Sequence, residues 1–293
     1  MSPLTRFQLL EHSKKLILNT LEETGKNVFT FTDLSNILRL NRNKWRLAAV
    51  TRKNDFIEFL VEKKMLKEVE ILLFNRTTKR YVFKNVTDFE IALSIRKDSY
   101  LSHYSAMFIH GLTNNVVKNI YTNLEQSKKT SNVNSLTQER IDTAYSRPMR
   151  TTKNIAKIPQ IDIYLLNGKN LNRLEVIEYS YNNIILPITS IERTLIDITI
   201  RPNYSGGVNE VLNAYIMAKG KFSVNRLAST LKAMNYVYPY HQVVGFYLER
   251  ADYKKEFIGL LEKIPIKYKF YLTYQIKDKD YSKKWNLYFP KDL

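Results

Sequence analysis

SIERTLIDITIRPNYSGG, residues 190–207, is an apolar helix with two opposite charges set into it and a hard stop at its end. Ile191, Leu195 and Ile198 recur at i, i+4 and i+7, the spacing of one buried face. Ser190 is placed to cap the run. Arg193 and Asp197 lie one turn apart on another face and can pair. Arginine before aspartate is the weaker order along a helix, so the pair is expected to have further partners. Arg201 and Pro202 end the helix, and Gly206 and Gly207 permit a tight bend into VNEVLNAYIMA. With no nucleophile, histidine or metal cluster beside it, the pair makes poor chemistry and a good clamp. The stretch reads as the frame of a domain, with its arginines available to form a basic surface.

Upstream, strands and turns lead into this helix. IPQIDIYLLNG, RLEVIEYSYNN and IILPIT read as strands separated by Gly and Asn turns. Before them, DFEIALSIRKDSYLSHYSAMFIHGL predicts one or two helices closed by Gly111, and residues 128–138 read as a polar loop. Downstream, three or four helices run to about Ile264. KYKFYLTYQI and WNLYFP then suggest a closing strand pair. The region 87–293 is therefore expected to be α+β.

The first 86 residues read differently. Phe7, Leu10, Ile17, Leu18 and Leu21 mark a helix from Arg6 to Thr24, ended by Gly25. In FTFTDLSNILRL, Thr32 is a candidate cap before the stripe Leu34, Ile37, Leu38. A basic connection leads to a helix from about Arg52 to Lys64. Strand-like runs Val69–Phe74 and Arg80–Phe83 flank a polar turn, Asn75 to Lys79. Three helices followed by a basic-tipped hairpin is the order of a winged helix-turn-helix, expected over residues 1–86.

Charge points the same way. The 293 residues carry 46 Lys+Arg against 28 Asp+Glu, a formal +18, which favours a polyanionic partner. Between Leu34 and Asn54 there is no acidic residue. In such a fold the N-terminal residues of the second helix of the pair reach base edges. That places Thr51, Arg52, Lys53 and Asn54 at the major groove, and Arg42, Lys44 and Arg46 nearer phosphates. Arg76, Lys79 and Arg80 at the hairpin would reach backbone or minor groove. A winged helix that binds protein, with a solvated basic face, is the competing reading. A second basic run, Lys128, Lys129, Arg140, Arg147, Arg150, Lys153 and Lys157, is a further candidate to meet nucleic acid, DNA or RNA.

Enzyme signatures are sparse. There is no GxxxxGK[ST], GxGxxG, HExxH or GxSxG, and no cysteine, which excludes disulfides and thiolate chemistry. His103 and His110 lie seven apart but lack an acidic third ligand and read as partly buried core or surface histidines. Asp162, Glu175 and Glu178 are the best approach to a restriction-type nuclease. The triplet at Glu175, Val176, Ile177 lacks the lysine such a site needs. No segment approaches the roughly 18 apolar residues of a membrane span. A soluble cytoplasmic protein with no cofactor and no metal is expected.

The 190–207 stretch with its continuation to Tyr215 resembles the signature of the AbiE-type antitoxins, the transcriptional-regulator half of abortive-infection (phage-defence, type IV) toxin–antitoxin operons. DSYLSHYSAMFIHGLT, SRPMR, IYLLNGKN and YHQVVGFYLERA agree in order along nearly the whole chain. The resemblance implies an N-terminal winged helix that represses its own operon by binding double-stranded operator DNA at inverted repeats. It implies a C-terminal antitoxin domain that neutralises a nucleotidyltransferase-type toxin without needing a stable complex. Arg147, Pro148, Arg193, Asp197, Arg201, Pro202, Gly206 and Gly207 are the positions that match the family. Membrane partners and catalysis are not implied.

Overall fold

The computed structural model describes residues 4–128 and 135–293, and the chain has a mixed α+β fold. Lys129 and most of the expected polar loop at 128–138 lie outside the described residues. In chain order the first elements are α1 (Arg6–His12), α2 (Lys14–Glu23), β1 (Val28–Phe29), α3 (Phe31–Asn41), α4 (Lys53–Glu62), β2 (Lys67–Leu73), β3 (Arg76–Val82) and α5 (Asp88–Ile95). There follow β4 (Tyr100–Leu101), α6 (His103–Ile109), β5 (Asn119–Glu125), α7 (Gln138–Ser146), β6 (Ile155–Ile158), β7 (Ile161–Gly168), β8 (Val176–Tyr181) and β9 (Ile184–Thr189). The last are α8 (Ile191–Ile200), α9 (Val208–Met217), α10 (Val224–Met234), α11 (Tyr240–Arg250), α12 (Lys255–Glu262), β10 (Phe270–Tyr271), β11 (Lys279–Ser282) and β12 (Leu287–Pro290). Two compact units result: residues 1–97 with 155–162, and residues 98–154 with 163–293.

In the first unit the strands run in the order β1, β3, β2, β6. The β2–β3 pair is antiparallel from Lys67↔Val82 to Leu73↔Arg76, and β6 adds at Leu72↔Lys157. The turn is therefore only Phe74 and Asn75, not the five polar residues expected, and Arg76 to Lys79 are strand. The helices bury Leu10, Ile17, Leu34, Leu38, Phe56 and Leu60 around Trp45, whose ring lies 5.7 Å from that of Phe56.

Local chemistry shifts other expected boundaries. The helix expected at 6–24 breaks at Ser13, whose hydroxyl donates to the Trp45 carbonyl at 2.7 Å. Thr30, not Thr32, caps α3. Its Oγ1 accepts from the Asp33 amide at 3.1 Å, and Asp33 accepts from the Thr30 amide at 2.8 Å. The first unit runs on past residue 86 to Lys97, and the Arg80 guanidinium on β3 donates to the carbonyls of Ser94 and Ile95 at the end of α5.

In the second unit the strands run β7, β5, β4, β9, β8. The β8–β9 hairpin closes at Tyr181↔Ile184 through Asn182 and Asn183, both in the left-handed region at φ 49° and 64°. Helix α8 lies at the centre. Leu195, Ile196 and Ile198 pack in one cluster with Tyr215, Leu227 and Tyr247. Ser190 caps it as expected, accepting from the Arg193 amide at 3.2 Å. Gly206 and Gly207 after it sit at φ 83° and 93°, the conformation that the expected bend requires. At the end of the chain the expected strand pair is three strands, with β12 between β10 (parallel) and β11 (antiparallel). A Cβ on Gly245 would stand 2.2 Å from the ring of the fully buried Trp285, so α11 meets that ring only as glycine.

Candidate functional site

The first unit gathers cations where the sequence places them, though not all of them face outward. Lys44 and Arg46 are exposed between α3 and α4, and Arg52, Lys53 and Asn54 are exposed at the start of α4. Among the described residues no carboxylate lies within ion-pair reach of Lys44, Arg46, Arg52 or Lys53. Asp55 is occupied at that helix start. It accepts from the Arg52 amide at 2.9 Å and lies 3.4 Å from Arg6.

Four expected contact residues have structural duties. Arg42 donates to the carbonyls of Ala48 at 2.6 Å and Thr51 at 2.7 Å, fixing the connection between the helices. Thr51 is 1% exposed and cannot reach a base. Arg80 is buried, and burial lowers its pKa from the ordinary guanidinium value. Lys79 pairs with Glu68 across the hairpin at 2.7 Å. That leaves Arg76 exposed beside the turn, next to a Phe74 side chain that is 82% exposed. The spacing of charges along the chain carries no sign of which cations the backbone carbonyls will claim.

The second unit contains a cleft of about 1590 Å³. Arg193 and Asp197, the charges in the middle of α8, line it. Arg193 Nε donates to Asp197 Oδ1 at 2.9 Å, and its Nη1 donates to the Leu174 carbonyl at 2.9 Å, the further partner expected. Burial pushes the Asp197 carboxyl above its usual range, opposed by Arg193. Arg147, Pro148 and Arg201 also line the cleft, and one Arg201 nitrogen donates to the Arg150 carbonyl at 3.3 Å. Pro202, Gly206 and Gly207 shape the turn beyond α8 and are not among the lining residues.

Of the second basic run, Arg140, Arg147 and Arg150 line this cleft, while Lys157 lies on β6 of the first unit, 3.9 Å from Asp162. The remaining wall was not anticipated: Tyr236, Tyr238, Tyr240 and Tyr274, with His103 and Asn123. A signal existed in NYVYPY, residues 235–240, where tyrosine recurs at every second position. His103 and His110 are buried, the first bonded to Ser102 Oγ at 2.9 Å and the second to the Thr189 carbonyl at 2.7 Å.

Asp162 belongs to the first unit, and Glu175 and Glu178 to the second. Glu175 is engaged by both Arg226 Nε and Nη2, and the Arg226 and Ser190 bonds hold its carboxyl low despite the burial that opposes them. Among the described residues no group of three His, Asp or Glu is placed to hold a metal ion.

The fold has a counterpart. The crystal structure of the RV2827C protein from Mycobacterium tuberculosis is similar, with a TM-score of 0.59 over 95% of this chain and 91% of that one, at 14% identity. At that identity the likeness is one of fold. No protein-family model and no curated protein matches the chain. Among the described residues no helix is long and apolar enough to cross a membrane.

Proposed function

We propose that the chain is a DNA-binding antitoxin of the AbiE type. On this reading, the helices and hairpin of the first unit act as a winged helix-turn-helix, with α4 as the recognition helix and β2–β3 as the wing. The observation that carries it is the set of exposed cations Lys44, Arg46, Arg52 and Lys53, with no carboxylate in ion-pair reach among the described residues, grouped at and just before the start of α4. Arg52 and Asn54 there are of the types that read guanine and adenine in the major groove. Arg76 beside the hairpin turn supplies a contact to the backbone or minor groove.

The protein would bind inverted repeats in duplex DNA upstream of its own operon and repress it in the cytoplasm. Its second unit would neutralise a nucleotidyltransferase-type toxin, with no catalytic step and no cofactor of its own. The sequence resemblance supports that half of the reading. The test is a gel-shift titration on the DNA upstream of its own gene at low and physiological salt, beside a scrambled duplex. Selective binding that disappears in Arg52→Ala/Lys53→Ala supports the reading. Equal binding to both duplexes that collapses with salt overturns it.

One observation favours a protein partner for the same unit. Phe74, Leu72, Val50 and Leu40 are all more than half exposed, an apolar display that binding to phosphates does not need. If Phe74→Ser weakens no DNA complex but abolishes association with a protein product of the same operon, the adaptor reading replaces the first.

A further inference from the structure

The cleft of the second unit holds chemistry that operator binding by the first unit leaves unused. Six cationic side chains and two carboxylates are among its lining residues. Two of those cations are spoken for: Arg193 by Asp197, and Lys169 by the carbonyls of Met234 and Asn235 at 2.8 and 2.7 Å. Arg140, Arg147, Arg150 and Arg201 are exposed, and among the described residues none of them has a carboxylate within ion-pair reach. They form an anion surface. Beside them stand tyrosines: Tyr236, Tyr238 and Tyr274 are half-buried and line the same cleft.

Cationic side chains next to aromatic rings are what a polynucleotide needs when its bases are unpaired: phosphates meet the first and bases stack on the second. A duplex keeps its bases stacked inside and offers nothing to the rings. Size decides between a strand and a small molecule. Small-molecule pockets hold roughly 300–1,000 Å³, and this cleft exceeds them.

We propose that this cleft binds a short single strand of nucleic acid, with phosphates on Arg147, Arg150 and Arg201 and bases against Tyr236, Tyr238 and Tyr274. The inference rests on the second unit alone and is independent of the repressor reading.

The experiment is fluorescence anisotropy of the full chain with a labelled five-nucleotide RNA, with the matching DNA strand, a duplex of equal charge and ATP as competitors. Saturable binding of the RNA is expected, with the DNA strand competing and the duplex and ATP both competing more weakly. Arg147→Gln/Arg150→Gln should weaken it about tenfold and lower the magnitude of the salt slope by about 0.7 for each phosphate that is no longer neutralised. Among the described residues neither side chain makes a hydrogen bond or ion pair, so a melting curve should be unchanged. Tyr236→Leu should weaken binding about tenfold with the slope unaltered. Arg52→Ala/Lys53→Ala should leave it intact, which separates this result from failure of the repressor reading. Absence of saturable binding overturns the proposal, as does binding indifferent to the arginine pair. ATP or the duplex competing as well as the RNA overturns the single strand.

Discussion

Arg193 and Asp197 form a buried ion pair one turn apart on α8, with Nε to Oδ1 at 2.9 Å and side chains only 2% and 6% exposed. The pair is a clamp between helix and sheet, since the same guanidinium holds the Leu174 carbonyl just before β8. Removing one partner strands a buried charge. Arg193→Met or Asp197→Leu alone is expected to cost about 3–5 kcal/mol, and the double variant less than the sum. Urea unfolding of the four proteins gives the cycle. Additive losses would show that the two residues do not act as a pair.

Acid should weaken the second unit through His103. Burial, aided by the Arg201 and Arg193 charges, pushes this imidazole down to about 3. In the unfolded chain it titrates near 6.5. Between those values the unfolded chain holds the extra proton. Stability therefore falls as pH drops below about 6.5, by up to about 1.4 kcal/mol per pH unit, and is unaffected above it. His103 sits at φ 50°, which asparagine tolerates. His103→Asn should lose less stability between pH 7 and pH 5 than the parent, measured by denaturant midpoints.

Two arginines of the first unit should fail in different ways. Arg80→Ala removes the bonds to the last carbonyls of α5 and should cost about 2 kcal/mol, seen as a lower Tm, with the DNA affinity of the folded protein unchanged. Arg52→Ala should leave Tm in place and weaken operator DNA, lowering the salt-slope magnitude by about 0.9 if it meets one phosphate. The reverse pattern would return Arg80 to the DNA-facing surface.

Gly245→Ala drives a methyl group into the Trp285 ring, and that ring is fully buried and cannot move aside. A loss of about 1–3 kcal/mol is expected. Thermal melts check it, and an unchanged Tm would mean that α11 shifts at little cost.

What the sequence determined by itself was local. The cap at Ser190, the apolar face of α8 and the left-handed bend at Gly206 and Gly207 rest on residues within a turn of one another, where spacing alone carries the signal; of the helices that follow it gave three or four, and the structure has four. Where two local choices were nearly equal, local hydrogen bonds and strand pairing chose the other: Thr30 took the cap from Thr32 through its reciprocal bonds with Asp33, and the hairpin tightened to Phe74 and Asn75. Only the tertiary structure decided which charges are free. Arg42 and Arg80 are chemically like Arg52, yet the carbonyls of Ala48, Thr51 and Ser94 claim them, while Arg52 stays exposed. The same holds for the cleft. Arg147 on the stretch after α7, Arg201 at the end of α8, and Tyr236 and Tyr274 on segments far apart in the chain meet because α8 is buried between them all, an arrangement set by packing that no periodicity encodes.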